Sequence, residues 1–172
     1  MTPAWRRLAL TAHVAASVGW LGAVAAFLVV AAAGLAGADP QAVRASYLSM
    51  EIIAWFVLVP LAVASLVTGV VQALGTRWGL FRHYWVVVKL VLNVLATAVL
   101  LLYTRTIGHL ATAARDTGTP LAELRALGWS PVVHAGAALL VLLVATVLAV
   151  YKPPGLTPHG LRGGGRSGAA RP

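Results

Sequence analysis

The composition of this 172-residue chain, 60% hydrophobic and only 10% charged, differs from that of soluble domains, which carry about 25% charged residues. Its mean hydropathy of +0.87 is typical of a membrane protein. The sequence has no cysteine, which excludes disulfides, thiolate metal sites and cysteine nucleophiles. The net charge of +9 does not predict nucleic-acid binding, because basic residues that flank apolar runs are explained by the positive-inside rule and by anionic lipids.

The first apolar run covers residues 8–35 and has one ionisable side chain, His13. About 20 apolar residues are enough to cross the hydrocarbon layer as a helix, which is the form in which a single segment satisfies its own backbone hydrogen bonds there. The run is longer than the apolar region of a signal peptide, which is about 7–15 residues. We therefore predict a retained membrane span.

A second helix is predicted to begin outside the bilayer at Asp39 and Pro40, which are the residue types of an N-cap and a first helical position. Its membrane span is predicted over residues 52–74. Pro60 lies inside this span and predicts a kink, because proline removes a helical hydrogen bond.

Two further spans are predicted over residues 84–103 and 132–151. In the polar connection between them, leucines at three-residue spacing after Pro120 predict a short helix on the membrane surface. Ser130 and Pro131 repeat the N-cap signal and predict a new helix start for the fourth span.

The expected architecture is an all-α integral membrane four-helix bundle over residues 1–152, followed by a disordered basic tail over residues 153–172. Four spans place both termini on one side of the membrane. Nine of the 13 Lys and Arg residues belong to that side, so the positive-inside rule predicts cytoplasmic termini. The expected partners are the lipid bilayer and, as an open alternative, further copies of the chain.

Ionisable side chains inside apolar spans are costly and usually face the bundle interior, which makes them site candidates. With the termini inside, His13 and Lys89 lie at similar depth near the inner surface, and His109 and His134 form a second pair near the outer surface. Each residue also has a structural interpretation. His13 can be a neutral histidine bonded to a neighbouring helix, Lys89 can extend to the interface, His109 can be a loop residue and His134 a packing residue.

Helical spacing places further residues on the same helix faces as His13 and Lys89. On span three, residues repeat every four positions and form one stripe: Trp85, Lys89, Asn93 and Thr97. On span one, Ser17 and Trp20 share a face with His13. The two faces predict a polar seam inside the bundle.

The same residues carry a family resemblance. His13, followed after six residues by Trp20, Leu21 and Gly22, resembles the first helix of HemJ-type protoporphyrinogen oxidases. The spacing from Trp85 to Lys89 is similar to that in their third helix. The copper-resistance D membrane domain and several bacterial four- or five-span families of unknown function look like relatives in the same superfamily, and the chain looks most like an actinobacterial-type four-span member of that group. The resemblance implies a bacterial plasma-membrane protein.

In HemJ-type proteins, the first-helix histidine and the third-helix lysine are associated with haem b. The resemblance therefore implies a redox role in which His13 is an axial haem ligand and Lys89 a second ligand or a propionate partner. Basic residues at the same inner face are expected to pair with the propionates: Arg6, Arg7, Arg77 and Arg82.

Two departures from the HemJ pattern argue against protoporphyrinogen oxidation itself. A histidine that precedes the lysine in those proteins is replaced here by Val87 and Val88, and a later Tyr-His element by Leu101 and Leu102.

Two alternatives stay open. A copper-handling permease would use His13 as the metal ligand, with His109 and His134 as weaker candidates, since cysteine is absent and Met1 and Met50 are the only methionines. A non-catalytic subunit of a membrane complex would need neither His13 nor Lys89. The sequence itself does not establish an enzymatic activity.

Overall fold

The computed structural model describes residues 2–75 and 79–158. It contains five α-helices and one π-helical turn: α1 (Pro3–Ala36), α2 (Pro40–Ile53), the π-turn (Ala54–Leu58), α3 (Val59–Leu74), α4 (Tyr84–Arg115) and α5 (Leu121–Tyr151). Because α2, the π-turn and α3 follow one another without a break, they count as one membrane-length helix. The four resulting helices are long and apolar enough to cross a membrane. The predicted all-α four-helix bundle is confirmed, and the chain is a multi-pass membrane protein.

The helices are arranged so that α1 and α4 occupy diagonal corners of the bundle. Both pack against α3 and α5, and no Cα atom of α1 lies within 8 Å of a Cα atom of α4 among the described residues. One end of the bundle, here called the termini end, holds residues 2–7, the loop 79–83 and residues 152–158. The opposite end, the far end, holds the connections 37–39 and 116–120.

The far end is closed by the side chain of Tyr47 on α2. Its ring lies between Gly34 of α1 and Gly128 of α5, both of which leave no room for a methyl group. Its hydroxyl donates a hydrogen bond to the carbonyl oxygen of Leu124, 3.1 Å away. Most of the large side chains that are fully buried belong to this half of the bundle, including Met50 and Leu124.

Polar contacts also stabilise the segments that connect the helices at the far end. Asp39 caps α2 by accepting hydrogen bonds from the backbone of Gln41 and Ala42, each at 3.2 Å, as predicted. Arg115 forms an ion pair with Glu51. The guanidinium of Arg44 donates to five backbone carbonyl oxygens at 2.6–3.4 Å, those of Ala113, Ala114, Asp116, Thr117 and Thr119.

The prediction of a separate surface helix before the fourth span was wrong. Helix α5 begins at Leu121 and continues through Pro131 to Tyr151. Leu124 is fully buried, whereas Leu127 is 44% exposed, so the leucines of this segment do not form one face and Leu124 packs into the bundle. Pro131 is also fully buried, and this packing offsets the hydrogen bond that proline removes from a helix interior.

Beside Pro60, the second span contains a π-helical turn. The π-turn Ala54–Leu58 lies just before the proline, and the backbone N–H of Val59 bonds to the carbonyl of Ala54. A π-turn, like a proline, is a recognised site of helix kinks.

The chain after α5 turns back onto the loop between α3 and α4. Lys152 adopts a left-handed conformation, with φ of 45°. The backbone N–H of Thr157 then donates to the carbonyl of Arg82 at 3.0 Å, and Leu156 forms an antiparallel bridge with His83. The start of the predicted tail therefore lies against the bundle, whereas residues 159–172 and Arg77 lie outside the described residues.

Candidate functional site

A cavity of about 640 Å³ opens at the termini end, between α1, α3, α4 and the last turn of α5. It exists because the diagonal helices α1 and α4 are held apart while the largest buried side chains fill the far end. Its volume lies in the range of about 300–1,000 Å³ that is typical of small-molecule and cofactor sites.

Four basic side chains line this cavity: Arg6, Arg7, Lys89 and Lys152. No carboxylate is found among the described residues that line it. The four acidic residues of the chain, Asp39, Glu51, Asp116 and Glu123, all belong to the far-end half of the bundle. The cavity is therefore suited to an anionic group, because cations are concentrated, with no lining carboxylate, at one end of a low-dielectric bundle.

His13 lies in the cavity wall with its ring held against α3. Its Nδ1 is 3.1 Å from the carbonyl oxygen of Ser65 and 3.2 Å from the hydroxyl of Thr68. A carbonyl oxygen can only accept, so Nδ1–H is the donor and Nε2 keeps its lone pair. The ring fits because position 69 is glycine: a Cβ there would lie 3.0 Å from the His13 Cε1 atom.

The polar face of α1 continues from His13 into the bundle, as the helical spacing predicted. The hydroxyls of Ser17 and Ser65 are 2.8 Å apart, and Ser65 is almost fully buried. Trp20 belongs to the core, with 2% of its surface exposed, and its indole N–H has no hydrogen-bond partner within the described part of the chain. Trp20 is therefore a packing residue.

Lys89 lies on the opposite wall of the cavity, on α4. Its Nζ is 4.7 Å from the centroid of the Trp85 ring, which is a cation–π distance. Trp85 precedes Lys89 by one helical turn, so the lysine side chain extends toward the termini end while it stays in the cavity wall. Asn93 lines the cavity as well, and Thr97 is buried and donates to the carbonyl of Asn93 at 2.8 Å.

The structure thus brings together four of the inner residues expected at the site: His13, Lys89, Arg6 and Arg7. Arg82 is not among the lining residues; its backbone carbonyl instead accepts the hydrogen bond from Thr157. Lys152 lines the cavity but was not singled out from the sequence. The available signal was a cation that directly follows the fourth span, at the same end as His13.

The outer histidines are placed differently. The ring of His134 stacks on Tyr103 with centroids 4.0 Å apart, and its Nδ1–H donates to the carbonyl of Ser130 at 2.9 Å. His109 is exposed, and neither histidine lines the cavity. Within the described segments, no group of three or more metal-ligating His, Cys, Asp or Glu side chains occurs, so no geometric observation favours the copper alternative.

Comparisons with protein families, curated proteins and solved structures found no match to this chain. The cavity at the termini end is therefore the feature from which its function is inferred.

Proposed function

We propose that the cavity binds haem b between α1 and α4, in a redox role, with His13 as an axial ligand. The observation that carries this proposal is the setting of His13. Its Nδ1–H is fixed by the Ser65 carbonyl, which leaves Nε2 as the nitrogen with a lone pair, in a wall of a cofactor-sized cavity lined by cations. Histidines that bind metals almost always donate their other ring N–H to a carboxylate, a backbone carbonyl or water, and this hydrogen bond fixes the tautomer and the orientation of the ring.

The chemical groups in the cavity fit such a cofactor. Its apolar lining, which includes Leu66, Val70 and Leu90, suits a flat hydrophobic ring. Arg6, Arg7 and Lys152 would bind the propionates, because guanidinium and ammonium groups form charge-assisted hydrogen bonds with carboxylates. Bound haem would supply one-electron chemistry at its iron, whose potential depends on the axial ligands and on nearby charge.

Lys89 has two proposed roles, as a second axial ligand or as a propionate partner. Its position over the Trp85 ring favours the second role, because a cation–π contact stabilises the charged ammonium, whereas coordination needs a neutral amine.

The test is a visible absorption spectrum of the detergent-purified full chain, before and after haem supplementation. We expect a Soret band that is lost in His13→Ala and retained in His109→Ala, which removes an exposed histidine outside the cavity. Absence of a Soret band from the supplemented wild-type protein, or an unchanged band in His13→Ala, would contradict the proposal.

We also propose that both termini face the cytoplasm of a bacterial plasma membrane. The support is the charge distribution: Arg6, Arg7, Arg82, Lys89 and Lys152 belong to the termini end, and positively charged residues are enriched on the cytoplasmic side of membrane proteins.

A further inference from the structure

The cavity extends along α1 as a groove that is open at the side of the bundle. Arg6, Leu10 and Val14 all line the cavity, and residues four apart on a helix lie on one face. Leu10 and Val14 are nonetheless 48% and 49% exposed, so the wall that they form is not covered by a neighbouring helix. From Arg6 to Val14 this groove is about 12 Å long.

The groove changes from charged to apolar along its length. Arg6, Arg7 and Lys152 lie at its termini-end mouth, whereas the deeper part is lined by Leu10, Val14 and Val70. A small inorganic anion would use only the mouth. An anionic amphiphile would use both parts, with its charged group on the cations and its hydrocarbon on the leucine and valine side chains.

We propose that the groove binds an anionic phospholipid from the surrounding leaflet. The phosphate lies against Arg6 and Lys152, and one acyl chain follows Leu10 and Val14. A zwitterionic lipid is disfavoured, because no carboxylate lines the described cavity to pair with its ammonium group. The site uses the exposed strip of α1 and does not use His13. It shares Arg6 and Lys152 with the proposed propionate contacts, so the phospholipid and haem would compete for these cations, and the lipid site is tested on the haem-free chain.

The first test compares two lipids that differ in headgroup charge. Native mass spectrometry of the haem-free full chain should show stronger retention of dioleoyl-phosphatidylglycerol than of dioleoyl-phosphatidylcholine. Since each basic residue near an anionic lipid surface is worth about a factor of five in binding, Arg6→Gln should weaken phosphatidylglycerol retention to that extent. The control Arg105→Gln removes the same charge from an exposed position in the far-end half of the chain and should leave retention unchanged. Equal retention of the two lipids, or equal effects of the two variants, would overturn the proposal.

The second test blocks the acyl-chain part of the groove without changing charge. Val14→Trp should reduce phosphatidylglycerol retention, whereas Val18→Trp, one turn further along α1 at a position 63% exposed and outside the cavity lining, should not. If the two variants behave alike, or if inorganic phosphate alone displaces the lipid, the groove does not bind the acyl chain and the proposal is wrong.

His13→Ala should keep phosphatidylglycerol binding while it removes the Soret band, which separates failure of this site from failure of the haem site.

Discussion

His13 shows how a single polar residue can be accommodated in an apolar span. One ring nitrogen is satisfied by the backbone of the neighbouring helix at Ser65, and the absence of a side chain at Gly69 gives the ring its place. Because unsatisfied polar groups are costly within a membrane, this hydrogen bond stabilises the residue in its span. The same contact fixes which nitrogen is available to a ligand.

The tautomer of His13 can be tested directly. In the neutral, ligand-free protein we expect the proton on Nδ1, because the Ser65 carbonyl can only accept. Measurement of ¹⁵N chemical shifts after histidine-specific labelling would identify the protonated nitrogen, and His13→Ala would assign the signal. A proton found on Nε2 would mean that the Ser65 hydrogen bond does not form and that the orientation of the ring is wrong.

At the scale of the helices, two glycines decide how closely α1, α2 and α5 approach at the far end. Gly34 and Gly128 both face the ring of Tyr47, whereas Gly22 and Gly136 have open space where a Cβ would be. The sequence offers no means of telling these glycines apart, because the difference lies in the partner helix and not in the local pattern.

We expect Gly128→Ala to destabilise the bundle by about 1–3 kcal/mol, the usual cost of overpacking a filled core. The added methyl group would displace the Tyr47 hydroxyl and its hydrogen bond to Leu124. Thermal unfolding in detergent, followed by circular dichroism, would show a lower Tm.

The matched control is Gly136→Ala on the same helix, where a Cβ meets nothing within 4 Å. Its Tm should be unchanged or slightly higher, since glycine in a helix interior is unfavourable relative to alanine. Equal destabilisation by the two substitutions would show that Tyr47 is not the reason for the cost.

The spans could be predicted because the length of an apolar run is a strong signal in itself. The start of α5 could not, since Ser130 and Pro131 carry a local helix-start signal that the burial of Leu124 and Pro131 overrides. At the site, the repeat of four residues placed Lys89 and Asn93 correctly on one face. Lys152 reaches the cavity because its backbone adopts a left-handed conformation. A lysine followed by two prolines does not predict that conformation.

Across the whole molecule, the excess of positive charge lies at one end of the bundle and the tight packing at the other. Within the described residues, the far-end half has four basic and four acidic residues, whereas the half in which the cavity opens has no acidic residue and five basic ones, which are Arg6, Arg7, Arg82, Lys89 and Lys152. The tightly packed end and the open, positively charged end therefore have different roles. The first holds the helices together, and the second is where we propose that haem and an anionic lipid bind.

The proposed orientation predicts the behaviour of reporter fusions. A reporter that folds in the reducing cytoplasm should be active after Pro172, and one that needs disulfides should be inactive there. A fusion that ends at Thr117, after three spans, should give the reverse pattern. The same pattern at both positions would contradict the four-span topology, and a complete inversion would contradict the cytoplasmic termini.

The position of the N-terminal residues at the cavity mouth affects how the protein should be purified. Pro3 and Arg6 line the cavity, so a polyhistidine tag fused ahead of Thr2 would bring several imidazoles next to it. Imidazole is the commonest metal-binding side chain, and such a tag could ligate haem iron in place of His13. The absorption spectrum of the tagged protein would not distinguish haem bound by the tag from haem bound in the cavity. A histidine-free tag is therefore required.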